Sequence, residues 1–335
     1  MPTIWDVAKE AGVSISSVSN ALNGKNKVSE STRARIDAAV RKLGYTVDPA
    51  ASSLKSRSTR IIGLIVPSID SAFFPAVISG LQSVLERNGY IINFYSTGFS
   101  AGVEEKYVKT LLDAKVDGMI IDSVSLNGSF ISSLSELSIG KKRVPVVALE
   151  RDLTESGLTS VYADNYKGGR MAAAHLLSRG SKCPAHISGK PTAPWSAERM
   201  RGFRDVLAEA GLELPWSRVA CGGFTLNGGR EAVGSLRDFD SVFAANDLSA
   251  VGAMQALLER GVRVPEDVKV IGFDNTYVTQ LTTPSVSTID LSKERLGIDA
   301  GEAILRALSG GKVEKIELPL TLMSRRSTEI LTNRR

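Results

Sequence analysis

Cysteine and histidine are nearly absent from this chain of 335 residues: Cys183, Cys221, His175 and His186 are the only ones. At these positions they form neither a zinc spacing nor a disulfide framework, so a metal-free protein of a reducing compartment is expected. No run approaches the roughly 18 uninterrupted apolar residues of a membrane span. The N-terminus enters a helical pattern at once, without the charged start and apolar core of a signal peptide. A cytoplasmic protein with no membrane partner is the expectation. Also missing are a Gly-x-Ser-x-Gly elbow, a Walker glycine-lysine loop and a Gly-x-Gly-x-x-Gly after the first strand, and neither histidine has an evident nucleophile beside it. An enzyme is therefore not expected, nor is a cofactor.

What is present is a globular composition, 43% hydrophobic and 23% charged, at a length that suggests two or three domains. Positive charge is concentrated at one end. Residues 1–60 hold ten Lys and Arg against five Asp and Glu, whereas the remainder holds 31 of each sign. A polyanion such as DNA accounts for that asymmetry through phosphate neutralisation, and a solvated basic surface is the plainer alternative.

The basic end has its own pattern. Thr3 precedes apolar residues at Ile4, Val7, Ala8 and Ala11, one face of a short helix, and Asp6 lies where a capping box needs an acceptor. Gly12 stops this helix, and Ser14 caps a second whose inner face is Val18, Ala21 and Leu22. Two short helices across a glycine turn make a helix-turn-helix or an ordinary helical hairpin. Ser29 caps a third helix with Ile36, Ala39, Val40 and Leu43 inside, and Arg33, Arg35, Arg41 and Lys42 are expected on its outer side. Residues 48–60 begin with Asp48-Pro49, a helix-start signal, but hold a single large apolar side chain, Leu54. A helix that short does not stand alone in water and needs a partner surface.

From Ile61 the pattern becomes α/β. Strands are expected at 61–66, 90–95, 118–121, 144–149 and 184–188, alternating with helices at 74–87, 103–114, 165–178 and 196–210, which argues for parallel sheet covered by helices. An internal repeat points to a duplicated core: Gly80-Leu-Gln-Ser-Val-Leu-Glu-Arg-Asn-Gly89 matches Gly202-Phe-Arg-Asp-Val-Leu-Ala-Glu-Ala-Gly211 in glycines and apolar face. Gly-Gly pairs at 168–169, 222–223 and 228–229 read as turns and helix starts. Two doubly wound lobes leave a ligand cleft at the carboxyl ends of their strands.

Taken together, these features resemble the lactose-repressor (LacI/GalR) family of bacterial transcription regulators over essentially the whole chain. The matching stretches include Thr3–Asn23, Val28-Ser-Glu-Ser-Thr-Arg33, Leu43-Gly-Tyr45, Ile62-Gly-Leu-Ile-Val66, Glu198-Arg-Met-Arg-Gly-Phe203, Ala245-Asn-Asp-Leu248, Val264-Pro-Glu-Asp-Val268 and Ile271-Gly-Phe-Asp274. The resemblance implies an α/β fold with a helix-turn-helix headpiece (1–48), a hinge helix (49–60) and a core of two periplasmic-binding-protein-like lobes (61–335). Lobe 1 would take about 61–162 plus 290–322, and lobe 2 about 163–289 plus 323–335.

The implied function is a ligand-responsive repressor, acting as a homodimer on a pseudo-palindromic double-stranded operator. Base reading falls on Ile15, Ser16 and Asn20, chemistry that suits a thymine methyl and an adenine edge. Thr3, Ser14, Ser17, Ser19 and Asn23 are implied as further headpiece contacts. Ala51, Leu54 and Lys55 are implied in the hinge, with Leu54 as a minor-groove wedge. The implied effector site is Phe73, Phe74, Glu150, Trp195, Arg199, Phe224, Asn246 and Asp274. Aromatic faces flanked by carboxylates and an arginine suit a sugar or sugar derivative, with a nucleobase as the alternative. The chain departs from the family at Ser17, Ala50, Ser52, Glu150 and Leu291, where Thr, Asn, Arg, Asp and Gln are common. Its tail after Thr328 has no leucine heptads, which favours a dimer over a helical tetramer. A solute-binding protein of transport shares the two-lobed cleft but predicts no headpiece.

Overall fold

The computed structural model describes residues 2–22, 28–45, 58–70 and 72–329. Asn23, the turn at 24–27, the hinge stretch with Ala51, Leu54 and Lys55, and the tail from 330 lie outside the described residues. The chain divides into two compact units, Met1–Thr59 and Arg60–Arg335.

In the first unit, three helices at Ile4–Ala11, Ile15–Leu22 and Glu30–Leu43 enclose a small core of Val7, Ala8, Ala11, Val18, Ala21, Ile36 and Ala39. The capping box forms: the Thr3 hydroxyl accepts from Asp6 N–H, and the Asp6 carboxylate accepts from Thr3 N–H at 2.8 Å. Gly12 ends the first helix in the left-handed region, at φ 60°, where a side chain is disfavoured. Ser14 Oγ accepts from Ser17 N–H at 3.1 Å and starts the second helix. One expectation changes. Arg35 is not simply a solvated charge, because it donates to the carbonyl oxygens of Ala11 and Gly12 and satisfies the end of the first helix.

The second unit carries two six-stranded sheets. The first runs β13-β7-β6-β3-β1-β2 and the second β14-β12-β11-β10-β8-β9. The first is built from β1 (Ile61–Val66), β2 (Ile91–Ser96), β3 (Gly118–Ile121), β6 (Val146–Leu149), β7 (Thr159–Ala163) and β13 (Lys315–Leu318). The second holds β8 (Pro184–Ser188), β9 (Val219–Cys221), β10 (Ser241–Ala244), β11 (Lys269–Phe273), β12 (Ser287–Asp290) and β14 (Thr321–Met323). All pairings within both sheets are parallel except β12 with β14. Strands β1 and β3 are apolar throughout, and β11 is so after Lys269, because helices cover both faces.

Several elements were not individually expected: strand β7, strands β9 to β14 with the helices Leu226–Ser235, Asp247–Glu259 and Lys293–Leu308 beyond residue 210, a helix at Gly128–Leu134, and a small hairpin of β4 (Ser138–Ile139) and β5 (Lys142–Arg143). The strand expected from Val144 accordingly enters the sheet only at Val146. Among the described residues no helix is long and apolar enough to cross a membrane.

The repeated glycine motif marks a helix crossing in each lobe. A Cβ on Gly80 would collide with the Glu294 carbonyl, and one on Gly297 with the Val77 carbonyl. In the second lobe Gly202 meets the Tyr166 carbonyl, and Gly169 the Arg199 carbonyl. Gly229 and Gly252 make the same approach between helices Leu226–Ser235 and Asp247–Glu259. The pairs 168–169 and 228–229 lie at helix starts, as expected, and Gly169 and Gly229 there serve backbone-to-backbone packing.

Candidate functional site: a cleft between two sheets and a helix-turn-helix

A cavity of about 440 Å³ opens where the carboxyl ends of the two sheets face each other. Many of its wall residues come within three positions of a strand end. Ser68 follows β1, Phe99 β2, Asp122 β3 and Glu150 β6; opposite them Lys190 follows β8, Phe224 β9, Asn246 β10 and Asp274 β11. Parallel strands deliver their ends to one edge, so residues distant in sequence converge there. Trp195 and Arg199, four apart on the helix Pro194–Glu209, share the face turned to the same space. The Gly169–Gly202 crossing holds that helix close to its neighbour.

All eight expected cleft residues line this cavity, but they do different work. Arg199 is buried: its Nε donates to Asn165 Oδ1 at 2.8 Å, Nη1 donates to the Ala245 carbonyl, and the guanidinium lies 3.7 Å over the Phe273 ring. Glu150 Oε2 and Asp274 Oδ1 stand 3.6 and 3.5 Å from it. Burial pushes the Glu150 carboxyl up to about 7 against the opposing pull of Arg199, and the Asp274 carboxyl up to about 6 for the same reasons.

Asn246 spends its side chain on structure. Its carbonyl accepts from Ser249 N–H at the start of the next helix, and its amide donates to the Phe224 carbonyl, 3.0 Å in each case. Phe73 and Phe74 pack edge to face, 5.0 Å apart, and are buried in the lobe core, so only part of each reaches the cavity. Trp195 packs with Val124 and Ala193 beneath the cleft wall.

Sequence reasoning missed Phe99, Asp122 and Lys190. Phe99 stacks on Phe224 across the cleft, centroids 5.9 Å apart and planes 15° off parallel, and the Lys190 ammonium lies 4.7 Å over the Phe99 ring. The available signal was position, since each follows the end of a strand. Four of the wall residues, Phe99, Glu150, Phe224 and Asp274, hold φ between 60 and 100°. Left-handed backbone at non-glycine residues costs on the order of 1–3 kcal/mol each and persists where the surroundings impose it, a common trait of preformed sites.

In the headpiece, Ser16 is exposed and Ser17, Ser19 and Asn20 are half-buried on the second helix. Ile15, expected to point outward, is half-buried and packs against the small core. The Ser14 hydroxyl lies 2.7 Å from that of Ser16 and 2.9 Å from that of Ser17. Thr3 commits its hydroxyl to the capping box.

Comparison with known proteins matches residues 3–48 to "Bacterial regulatory proteins, lacI family" and residues 173–328 to "Periplasmic binding protein-like domain". The HTH-type transcriptional regulator DegA of Bacillus subtilis (strain 168) is 32% identical over 334 residues, 98% of each chain. The chain belongs to the lacI family of bacterial regulatory proteins. It is a ligand-responsive, DNA-binding transcriptional regulator of that family. The transcriptional repressor PurR of Vibrio cholerae (strain M66-2) is 31% identical over 319 residues, 94% of each chain. Among solved structures, a complex of the regulator CelR with cellobiose superposes with a TM-score of 0.72 at 29% identity, covering 98% of this chain and all of the other. Both curated relatives of this lacI-family chain are transcriptional regulators rather than enzymes.

Proposed function

We propose that this lacI-family protein is a cytoplasmic repressor of carbohydrate-metabolism genes, whose effector, a sugar or sugar derivative, binds between the lobes and alters operator affinity. The observation that carries this reading is the convergence of eight separated side chains on one cavity with aromatic walls and a few charged groups. Carboxylates beside an arginine grip paired hydroxyls, and aromatic faces cover a sugar ring. The cellobiose complex of a 29% identical regulator supports the sugar class. The PurR relatives support a nucleobase as a second reading, since a flat heterocycle also stacks on an aromatic wall.

In this reading the domains divide at 48 and 60, and the operator is read by Ser14, Ile15, Ser16, Ser17, Ser19, Asn20 and Asn23, with Thr3 at the edge. Ala51, Leu54 and Lys55 act in the minor groove, and the chain works as a homodimer on a pseudo-palindromic site. Ligand binding shifts the closure of the lobes and with it the spacing of the two hinges. The test is a thermal-shift screen of the full chain against sugars, sugar phosphates, sugar acids and nucleobases, in which a ligand at 100 times its dissociation constant adds about 2.7 kcal/mol. A sugar hit that also changes operator retention in a mobility-shift assay supports the proposal. A nucleobase hit with no sugar hit replaces it by the second reading.

A further inference from the structure

The lobe 1 wall of the cleft holds more acceptor capacity than the protein itself satisfies. Asp122 and Glu150 directly follow β3 and β6, which pair side by side with Ile121 beside Ala148, so both carboxylates arrive at the same stretch of sheet edge. Each is at least nine-tenths buried. Each also keeps one carboxylate oxygen, Asp122 Oδ1 and Glu150 Oε1, with no hydrogen-bond partner among the described residues. Folded proteins rarely leave such atoms unpaired, because an unpaired buried acceptor forfeits its hydration without return.

The charge balance has the same sense. Asp70, Asp122, Glu150 and Asp274 line the cavity against two cations, Lys190 and Arg199. Arg199 is held by Asn165, Ala245 and the Phe273 ring, and Lys190 lies over Phe99. Behind Asp122, Arg151 donates to the carbonyls of Ser123 and Ser125. Glu104 there accepts from the Ser123 hydroxyl and the Val124 N–H. The groups nearest Asp122 thus include two further carboxylates, Glu150 and Glu104, both of which repel its charge.

We propose that the ligand of this cleft carries a protonated nitrogen that seats between Asp122 and Glu150, as the ammonium of an amino sugar would. The inference rests on the reading of the cleft as the effector site and narrows the effector class. An anionic sugar acid or sugar phosphate would add negative charge to a wall that already has an excess. A neutral hydroxyl would satisfy hydrogen bonds but leave the charge unbalanced, whereas an ammonium provides three donors and the missing charge together. In the ligand-free protein burial raises both carboxyls, Glu150 to about 7 with Asp274 adding to the rise, and Asp122 well above the usual carboxylate range with Glu150 and Glu104 adding to it. A bound cation lowers both, so its binding expels protons near neutral pH.

The experiment is calorimetric titration of the full chain with matched sets of glucose, galactose and mannose, each in its neutral, amino, acid and phosphate form. Buffers of different ionisation enthalpy report the protons exchanged. The amino form of one sugar should bind at least tenfold tighter than its neutral counterpart and release protons at pH 7. Asp122→Asn should remove most of that preference, and Glu150→Gln serves as the second variant, with the ligand-free melting temperature of both checking the fold. Preference for a neutral, acid or phosphate form, or an amine preference untouched in both variants, overturns the inference while leaving the sugar reading intact. Failure of every sugar to bind overturns the sugar reading and this inference with it.

Discussion

Arg199 shows what one residue does in the cleft, because it is the only guanidinium within 4 Å of both Glu150 and Asp274 among the described residues. Neither contact is shorter than 3.5 Å, and both carboxyls remain raised, so the guanidinium neutralises them incompletely. Arg199→Ala should therefore cost about 3–5 kcal/mol near pH 8, the usual penalty for stripping one partner from a buried ion pair. The sign of its pH dependence follows from the shifts. A carboxyl raised in the folded state contributes stability that is full below its unfolded value near 4 and is lost as pH rises through 6 to 7. Without Arg199 that loss deepens, so the penalty should be clearly smaller at pH 5.5 than at pH 8 in thermal melts. An equal penalty at both would assign Arg199 to packing on Phe273 instead. Arg199, Glu150 and Asp274 were legible through the family resemblance, which matches the stretches Glu198–Phe203 and Ile271–Asp274 around two of them. Asp122 and Phe99 were not, since their neighbours are decided by which strands lie side by side.

At the scale of elements, the continuous apolar strands and the amphipathic helices between them were readable because burial on both faces leaves an unmistakable pattern. The helix at Gly128–Leu134 is short and serine-rich and the hairpin after it has two-residue strands, so both hold too little periodicity to read. The glycine repeat was visible as a repeat, but its purpose required the helix pairs. That purpose can be measured. Gly202→Ala should destabilise by about 1–3 kcal/mol through overpacking against the Tyr166 carbonyl. Gly102→Ala, in a helix with open space around the site, should be neutral or stabilise by up to about 1 kcal/mol. If the two substitutions had equal effects, the crossing would not be set by backbone contact. Strand β8 carries a second test. His186 lies fully buried between Phe203 and Phe243, its Nδ1 2.9 Å from the Phe243 carbonyl, and burial lowers its imidazole to about 3. Its proton then prefers the unfolded chain, so stability is lost as pH falls below about 6.5. His186→Met should reduce the stability difference between pH 7 and pH 5 by about 2 kcal/mol in denaturant titrations, at about 1.4 kcal/mol per unit. An unchanged difference would place the acid sensitivity elsewhere, with His175 the next candidate.

The whole molecule separates two activities that a single chain carries to different degrees. The cleft draws wall residues from both lobes of one chain. Operator recognition by a dimer needs two headpieces on two half-sites, and its affinity depends on both being engaged. In the proposed homodimer the contact is expected on exposed apolar side chains of the core: Ile91 on the edge strand β2 is 63% exposed, and Tyr277 and Leu281 in the second lobe are 66% and 75% exposed. Large apolar side chains clustered at the surface mark contact sites. Replacing both Tyr277 and Leu281 by Glu should yield monomers in sedimentation velocity. The ligand-induced thermal shift should survive, while operator affinity should fall by about 100-fold or more, the scale of lost avidity. The salt dependence should fall with it. Each headpiece neutralises its own set of phosphates, and the slope of log affinity against log salt scales with their number, so one headpiece should show about half the slope of two. A variant that remains dimeric would move the interface to another face. A monomer that keeps full operator affinity and slope would mean that one headpiece suffices, and the palindromic reading would then give way to a single-site one.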